Sequence, residues 1–67
     1  MGLKELRQSI GFSQTSLAKE LGISKTTVSY IETGKLRLSL SIASRLIIFF
    51  GSKGIKLSMD DIYRHLP

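Results

Sequence analysis

Apolar residues recur along the chain at helical rather than strand spacing. Leu3, Leu6 and Ile10 follow an i, i+3, i+7 rhythm that predicts a first helix over residues 2–9. Gly11 ends it, and Phe12 opens the next corner. Leu17, Ala18 and Leu21 form the stripe of a second helix, 14–21, with Ser13 as its N-cap and Gly22 as its left-handed exit. Ser24 caps a third helix, 25–32, in which only Val28 and Ile31 face inward, and Gly34 closes it. The segment Thr33–Leu38, bearing Lys35 and Arg37, reads as a loop. Ser39 then caps a fourth helix over about 40–50 that ends at Gly51.

Leu40, Ala43, Leu46, Ile47 and Phe50 are enough for the core-facing stripe of that fourth helix. Ile42, Ile48 and Phe49 carry the apolar surface beyond it, and Ile48 lies on the face marked by Ser41, Ser44 and Arg45. Two accounts fit this excess. Residues 52–67 fold back over the surface within one subunit, or Ile48, Phe49 and part of the 52–63 segment form a contact between two subunits. Ser58 with Asp61 three residues on has the form of a capping box. It predicts a last helix, 59–65, with Asp60 and Asp61 at its positive end and Arg64 and His65 at its negative end. The competing pattern is a short strand over Ile55–Met59, where apolar and polar residues alternate. The only proline, Pro67, is terminal and interrupts no helix. The expectation is a single all-α domain over 1–67: a compact bundle of four to five helices, with 52–67 as a candidate dimerisation segment.

Charge changes the picture more than composition does. Apolar residues at 42% with 22% charged indicate a folded globule. A chain of 67 residues hides only about 60% of the surface its unfolded form exposes, so a partner subunit would help it. Ten Lys and Arg against five Asp and Glu give +5, with a pI near 10.0. Nucleic acid, an anionic membrane surface or an acidic protein each suits that sign. No run of consecutive basic residues exists, so the fold must organise the charge. The absence of cysteine excludes disulfides and thiolate metal sites, and His65 alone makes no metal cluster. The longest apolar run, Leu46–Phe50, is far short of the roughly 20 residues that span a bilayer. No charged-then-apolar leader opens the chain, so the expected setting is cytoplasmic, without a membrane partner.

Chemistry for catalysis is missing. Asp60 and Asp61 are adjacent and point apart on a helix, nothing orients His65, and no phosphate-cradling glycine motif occurs. The chain is read as a non-enzyme without cofactor, metal or small-molecule ligand.

Residues 14–33, QTSLAKELGISKTTVSYIET, are the specific part of the sequence. Two short helices meet at a turn where Gly22 reverses the backbone and a residue larger than Ala18 would push the helices apart. Leu17, Leu21, Ile23, Val28 and Ile31 close the wedge, leaving Lys25, Thr26, Thr27, Ser29 and Tyr30 free. That outer face is hydroxyl-rich and has no acid before Glu32, unlike a solvated helix with its Glu–Lys pairs.

At these residues the chain resembles the helix-turn-helix family of phage Cro and lambda-type repressors. Gln14, Ala18, Gly22, Ile23, Val28 and Ile31 match in register, as does Ile31-Glu32-Thr33-Gly34-Lys35 after the recognition helix. The likeness continues through Ser39-Leu40 to Gly51 and covers about residues 3–51. Two features depart from the family pattern: Leu38 stands where a proline commonly precedes the fourth cap, and the linker after Gly51 is longer. No basic arm precedes Leu3, so an arm around the minor groove is not expected.

The resemblance implies double-stranded DNA as partner, with the third helix in the major groove and its N-terminal residues on base edges. Lys25 and Thr26 are then the first base readers, with Ser29 and Tyr30 one turn later. Chemically, Lys25 can donate to guanine O6 or N7, and Thr26 offers a hydroxyl and a methyl. Gln14, Ser24 and Thr27 lie at helix N-termini, where anions are favoured, and Lys35 and Arg37 lie on the loop that grips the backbone in the family. A homodimer on a palindromic operator is implied, as for a Cro- or repressor-type regulator. Fold alone leaves open an antitoxin or other protein-binding module on the same scaffold, or a restriction–modification controller.

Overall fold

The computed structural model describes residues 2–65, with the side chains of 63–65 outside that description. Its helices are α1 (Leu3–Ser9), α2 (Gln14–Leu21), α3 (Lys25–Glu32), α4 (Leu40–Ser52) and α5 (Met59–His65). The all-α expectation holds, and no strand occurs among the described residues. Ile55 and Leu57 run between α4 and α5 without strand pairing and pack, half-buried, against the core. A lone strand there would have no second edge to satisfy its N–H and C=O groups, so the capping box prevails. Asp61 accepts from the Ser58 N–H at 3.0 Å, and Ser58 Oγ accepts from the Asp61 N–H at 3.1 Å. The side chains of Arg64 and His65, and Pro67, fall outside the described residues.

The apolar stripes converge on one core. Leu3 and Leu6 of α1, Leu17, Ala18 and Leu21 of α2, and Val28 and Ile31 of α3 are buried with Ala43, Leu46 and Phe50 of α4 and Ile62 of α5. Leu40 corrects the expected stripe: it is 66% exposed. As the first residue after the Ser39 cap, it precedes the point where α4 meets the core, and half-buried Leu38 packs there instead. Phe49 is half-buried, its ring set edge-on against Phe12 and Phe50 with centroids 5.3 Å apart in both pairs. The fold-back of 52–62 seats Ile55, Leu57, Met59 and Ile62 on the core but leaves Ile48 73% exposed.

Gly51 also behaves differently from expectation. It lies inside α4, which ends one residue later. Gly54, at φ +83°, makes the exit. The Ile55 N–H returns to the Phe50 carbonyl at 2.9 Å and the Gly54 N–H to the Gly51 carbonyl at 3.1 Å. This is a Schellman closure, with apolar Ile55 following the left-handed residue.

One polar cluster sits among the apolar contacts. The Arg7 Nε–H donates to Glu32 Oε2 at 2.7 Å and its Nη2 to Oε1 at 3.3 Å. Nη1 donates to the Phe12 carbonyl at 2.8 Å, and Gln14 Nε2 to Glu32 Oε1 at 3.0 Å. The two charged side chains are only 9% and 3% exposed. They join α1 to α3, while Gln14 adds α2. Burial by itself pushes the Glu32 carboxyl up, but the Arg7 and Gln14 hydrogen bonds and the charges of Arg7 and Lys4 hold it below its usual 4.5.

Because that value is lowered on folding, the contribution of Glu32 to stability is complete above the unfolded value and is lost as pH falls through the folded one. Thermal melts of the wild type should therefore fall in Tm as pH drops below about 4.5. Glu32→Gln should flatten that fall while destabilising the domain at pH 7 by about 3–5 kcal/mol, since Arg7 is left buried and unpaired. The two glycines at the end of α4 should part company in chemical denaturation. Gly51→Ala, with open space at its Cβ, should stabilise by about 0.5–1 kcal/mol. Gly54→Ala meets equally open space but must hold a left-handed backbone, and should destabilise by about 1–2 kcal/mol.

Candidate nucleic-acid interface

The α2–α3 unit is fixed at each joint by a side chain suited to it. Ser13 Oγ accepts from the Ser16 N–H at 3.0 Å and opens α2; Ser24 Oγ accepts from the Thr27 N–H at 3.0 Å and opens α3. Between them Gly22 takes φ +70°, and the Ile23 N–H reaches back to the Ala18 carbonyl at 3.0 Å. From α4, Arg45 Nη1 donates to the Leu21 carbonyl at 2.8 Å, so a cation closes the negative end of α2. A Cβ at Gly22 would lie 3.2 Å from that same Nη1. The turn needs glycine for its backbone angle, and a side chain there would also crowd the tip of Arg45.

Complete burial of Val28 and Ile31 sets the rotation of α3 and turns its other side outward. Lys25 and Thr26 are exposed, Thr27 and Ser29 half-buried, and Tyr30 46% exposed. The expected base readers therefore share one face. Of the expected phosphate contacts, Ser24 and Thr27 sit at the N-terminus of α3, their hydroxyls 2.8 Å apart. Ser24 is also the cap, and Thr27 gives its backbone N–H to it. Gln14 begins α2, one N–H of its amide engaged by Glu32. Lys35 and Arg37 are exposed on the loop after α3. The Lys35 ammonium lies 5.9 Å from the Tyr30 ring centroid, a distance at which ring and cation attract.

The exit of α3 holds this loop close. The Lys35 N–H returns to the Tyr30 carbonyl at 2.8 Å, the Gly34 N–H to Ile31 at 3.2 Å, and Thr33 Oγ1 donates to the Ser29 carbonyl at 3.0 Å. Glu32, the single acid of α3, is turned toward Arg7 and away from the exposed face. That face consequently carries lysine, hydroxyls and a phenol with no carboxylate.

Three residues that shape the interface escaped the reading of the sequence. Arg7 and Glu32 each interrupt an apolar stripe, Arg7 at i+4 from Leu3 and Glu32 at i+4 from Val28. Opposite charges on two inward stripes were the available signal. Arg45 gave none, since its partner is a backbone carbonyl on another helix.

No helix among the described residues is long and apolar enough to cross a membrane. No solved structure matches the chain. A helix-turn-helix family model matches residues 3–57. A protein of Methanocaldococcus jannaschii, described as an uncharacterized HTH-type transcriptional regulator, is 43% identical over 61 residues, spanning 91% of this chain and 85% of that one. A Bacillus subtilis protein with the same kind of description is 33% identical over 61 residues, 91% of this chain and 85% of its own. A longer Pyrococcus furiosus protein, described as an HTH-type transcriptional regulatory protein, is 39% identical over 54 residues; these are 81% of this chain but only 17% of that one. With the match running from the first residue of α1 to the loop before α5, the chain belongs to the helix-turn-helix family, and within it to the XRE type.

Proposed function

We propose that this chain is a transcription regulator that reads double-stranded DNA with α3 in the major groove, and that it binds a palindromic operator as a homodimer in the manner of Cro and repressor proteins. The observation that carries the reading is the carboxylate-free outer face of α3, which combines exposed Lys25, Thr26 and Tyr30 with half-buried Ser29 and turns Glu32 inward to Arg7. A duplex carries one negative charge per about 1.7 Å of axis, so an acid on that face would oppose docking. Lys25, Thr26, Ser29 and Tyr30 read base edges. Gln14 (through its second amide N–H), Ser24, Thr27, Lys35 and Arg37 hold phosphates. One recognition helix spans only a few base pairs, so two subunits address half-sites about 34–36 Å apart. The outer side of Ile48, with the exposed part of Phe49, joins them.

Titration of duplex binding against salt tests this directly. A dimer making about 6–8 phosphate contacts should give a slope of log K on log[salt] of roughly −5 to −7. A slope near zero would remove the DNA reading and favour a protein-binding role for the same scaffold. Arg37→Ala should weaken all sequences alike and lower the slope.

Reading separates from anchoring in a comparison of cognate and scrambled duplexes. Lys25→Ala and Thr26→Ala should each cost about 1–3 kcal/mol on the best site and relax preference at one or two base pairs. Thr26→Ala should barely affect scrambled duplexes. Equal losses on both would show that Thr26 does not read sequence.

A further inference from the structure

The exposed side of α4 carries a groove of about 300 Å³ lined by Glu20 from α2 and by Arg45, Ile48, Phe49 and Ser52. It lies apart from the base-reading residues of α3. Ile48 and Phe49 are its apolar lining, and Ile48 stands 73% exposed. Glu20 and Arg45 add one acid and one base. They form no ion pair with each other within the chain, unlike Arg7 and Glu32. Arg45 uses Nη1 for the Leu21 carbonyl, and a guanidinium has five N–H donors, so others remain.

We infer that this groove receives the same groove of a second copy, with Ile48 packing across a two-fold axis and Glu20 of each copy meeting Arg45 of the other. The inference rests on the homodimer reading above and names its contact. An isologous interface requires one patch to supply both halves of every complementary pair. A patch with apolar residues and one charge of each sign meets that requirement without a second kind of partner. The alternatives fit less well. Glu20 repels phosphate, which disfavours nucleic acid here, and one isolated isoleucine is too little apolar surface to hold a bilayer. Along α4, Ser41, Ser44 and Ser52 flank Ile48, and such short side chains let a second helix approach closely.

Arg45 gives the contact a consequence for DNA. The guanidinium that meets the second copy's carboxylate is the one that closes α2 at Leu21, directly before Gly22. Association therefore braces the residue that supports the turn leading into α3.

Sedimentation equilibrium without DNA, with circular dichroism as the check on folding, decides the matter. Wild type should dimerise. Ile48→Lys and Glu20→Arg, both at exposed positions, should stay folded and associate about tenfold or more weakly, because an ammonium then replaces the apolar contact or like charges face each other. Arg45→Glu should also fail to self-associate. An equimolar mixture of Glu20→Arg and Arg45→Glu should dimerise again, since both charge pairs are restored in the mixed dimer. A mixture no tighter than its components overturns the pairing. If Arg45→Glu does not fold, the other two variants decide: a dimer indifferent to both overturns the contact. A wild type still monomeric at about 1 mM assigns the groove to another occupant and equally overturns it. A monomer that keeps its steep salt slope on duplex DNA would sink this contact and leave DNA binding standing. A dimer sensitive to both variants that binds no duplex would do the reverse.

Discussion

The buried pair of Arg7 and Glu32 is the constraint on which the arrangement of the first three helices depends. Two opposite charges inside a small core are tolerable only when each finds its partner and its remaining polar atoms are satisfied. Here Arg7 spends its donors on Glu32 and on the Phe12 carbonyl, and Glu32 takes the Gln14 amide as well. No buried side-chain polar atom among the described residues lacks a partner. Any slippage of α1 against α3 would break several of these bonds at once. Apolar contacts among Leu3, Leu17, Val28 and Ile31 favour closeness but are not directional. The ion pair supplies the direction.

A second fastening works from the opposite side. Arg45 reaches from α4 to the last carbonyl of α2, and the missing side chain of Gly22 makes room for it. The α2–α3 unit is thus held at the turn by α4 through Arg45 and at the far end of α3 by Arg7 of α1 and Gln14 of α2. With α3 stabilised at both ends, its outer residues project from a rigid element, which is what specific reading of a polar groove requires. The stability of so small a domain is on the order of 3–10 kcal/mol, so each such fastening is a large share of the whole.

The same interactions sort the charge. Glu32 is drawn inward, which leaves the outer side of α3 without an acid, while Lys25, Lys35 and Arg37 remain outside. A net charge of +5 would mean little if spread evenly. On this fold part of it lies beside the hydroxyl-rich face of α3, and the acid and base of the Glu20–Arg45 groove lie elsewhere. A structural pair in the core and the polarity of the proposed interface are two results of one placement.

Helices α2 to α5 are legible in the sequence because each is opened by local chemistry, whereas α1 is marked by its apolar spacing alone. Ser13, Ser24 and Ser39 each cap the helix they precede, and Ser58 with Asp61 forms the expected box. The stripes of α1 to α3 named their own core residues, and with Val28 and Ile31 inward the expected face of α3 lies outward. The errors were of another kind. Periodicity placed Leu40 in the core and let Gly51 end α4, because neither residue shows where a helix first touches its neighbour or whether a later glycine makes a better exit. Arg7, Glu32 and Arg45 were missed or undervalued for the same reason. Capping and amphipathicity act over a few residues and can be read along the chain. A buried charge, or a guanidinium meeting a distant carbonyl, acquires its role only from what packing brings beside it.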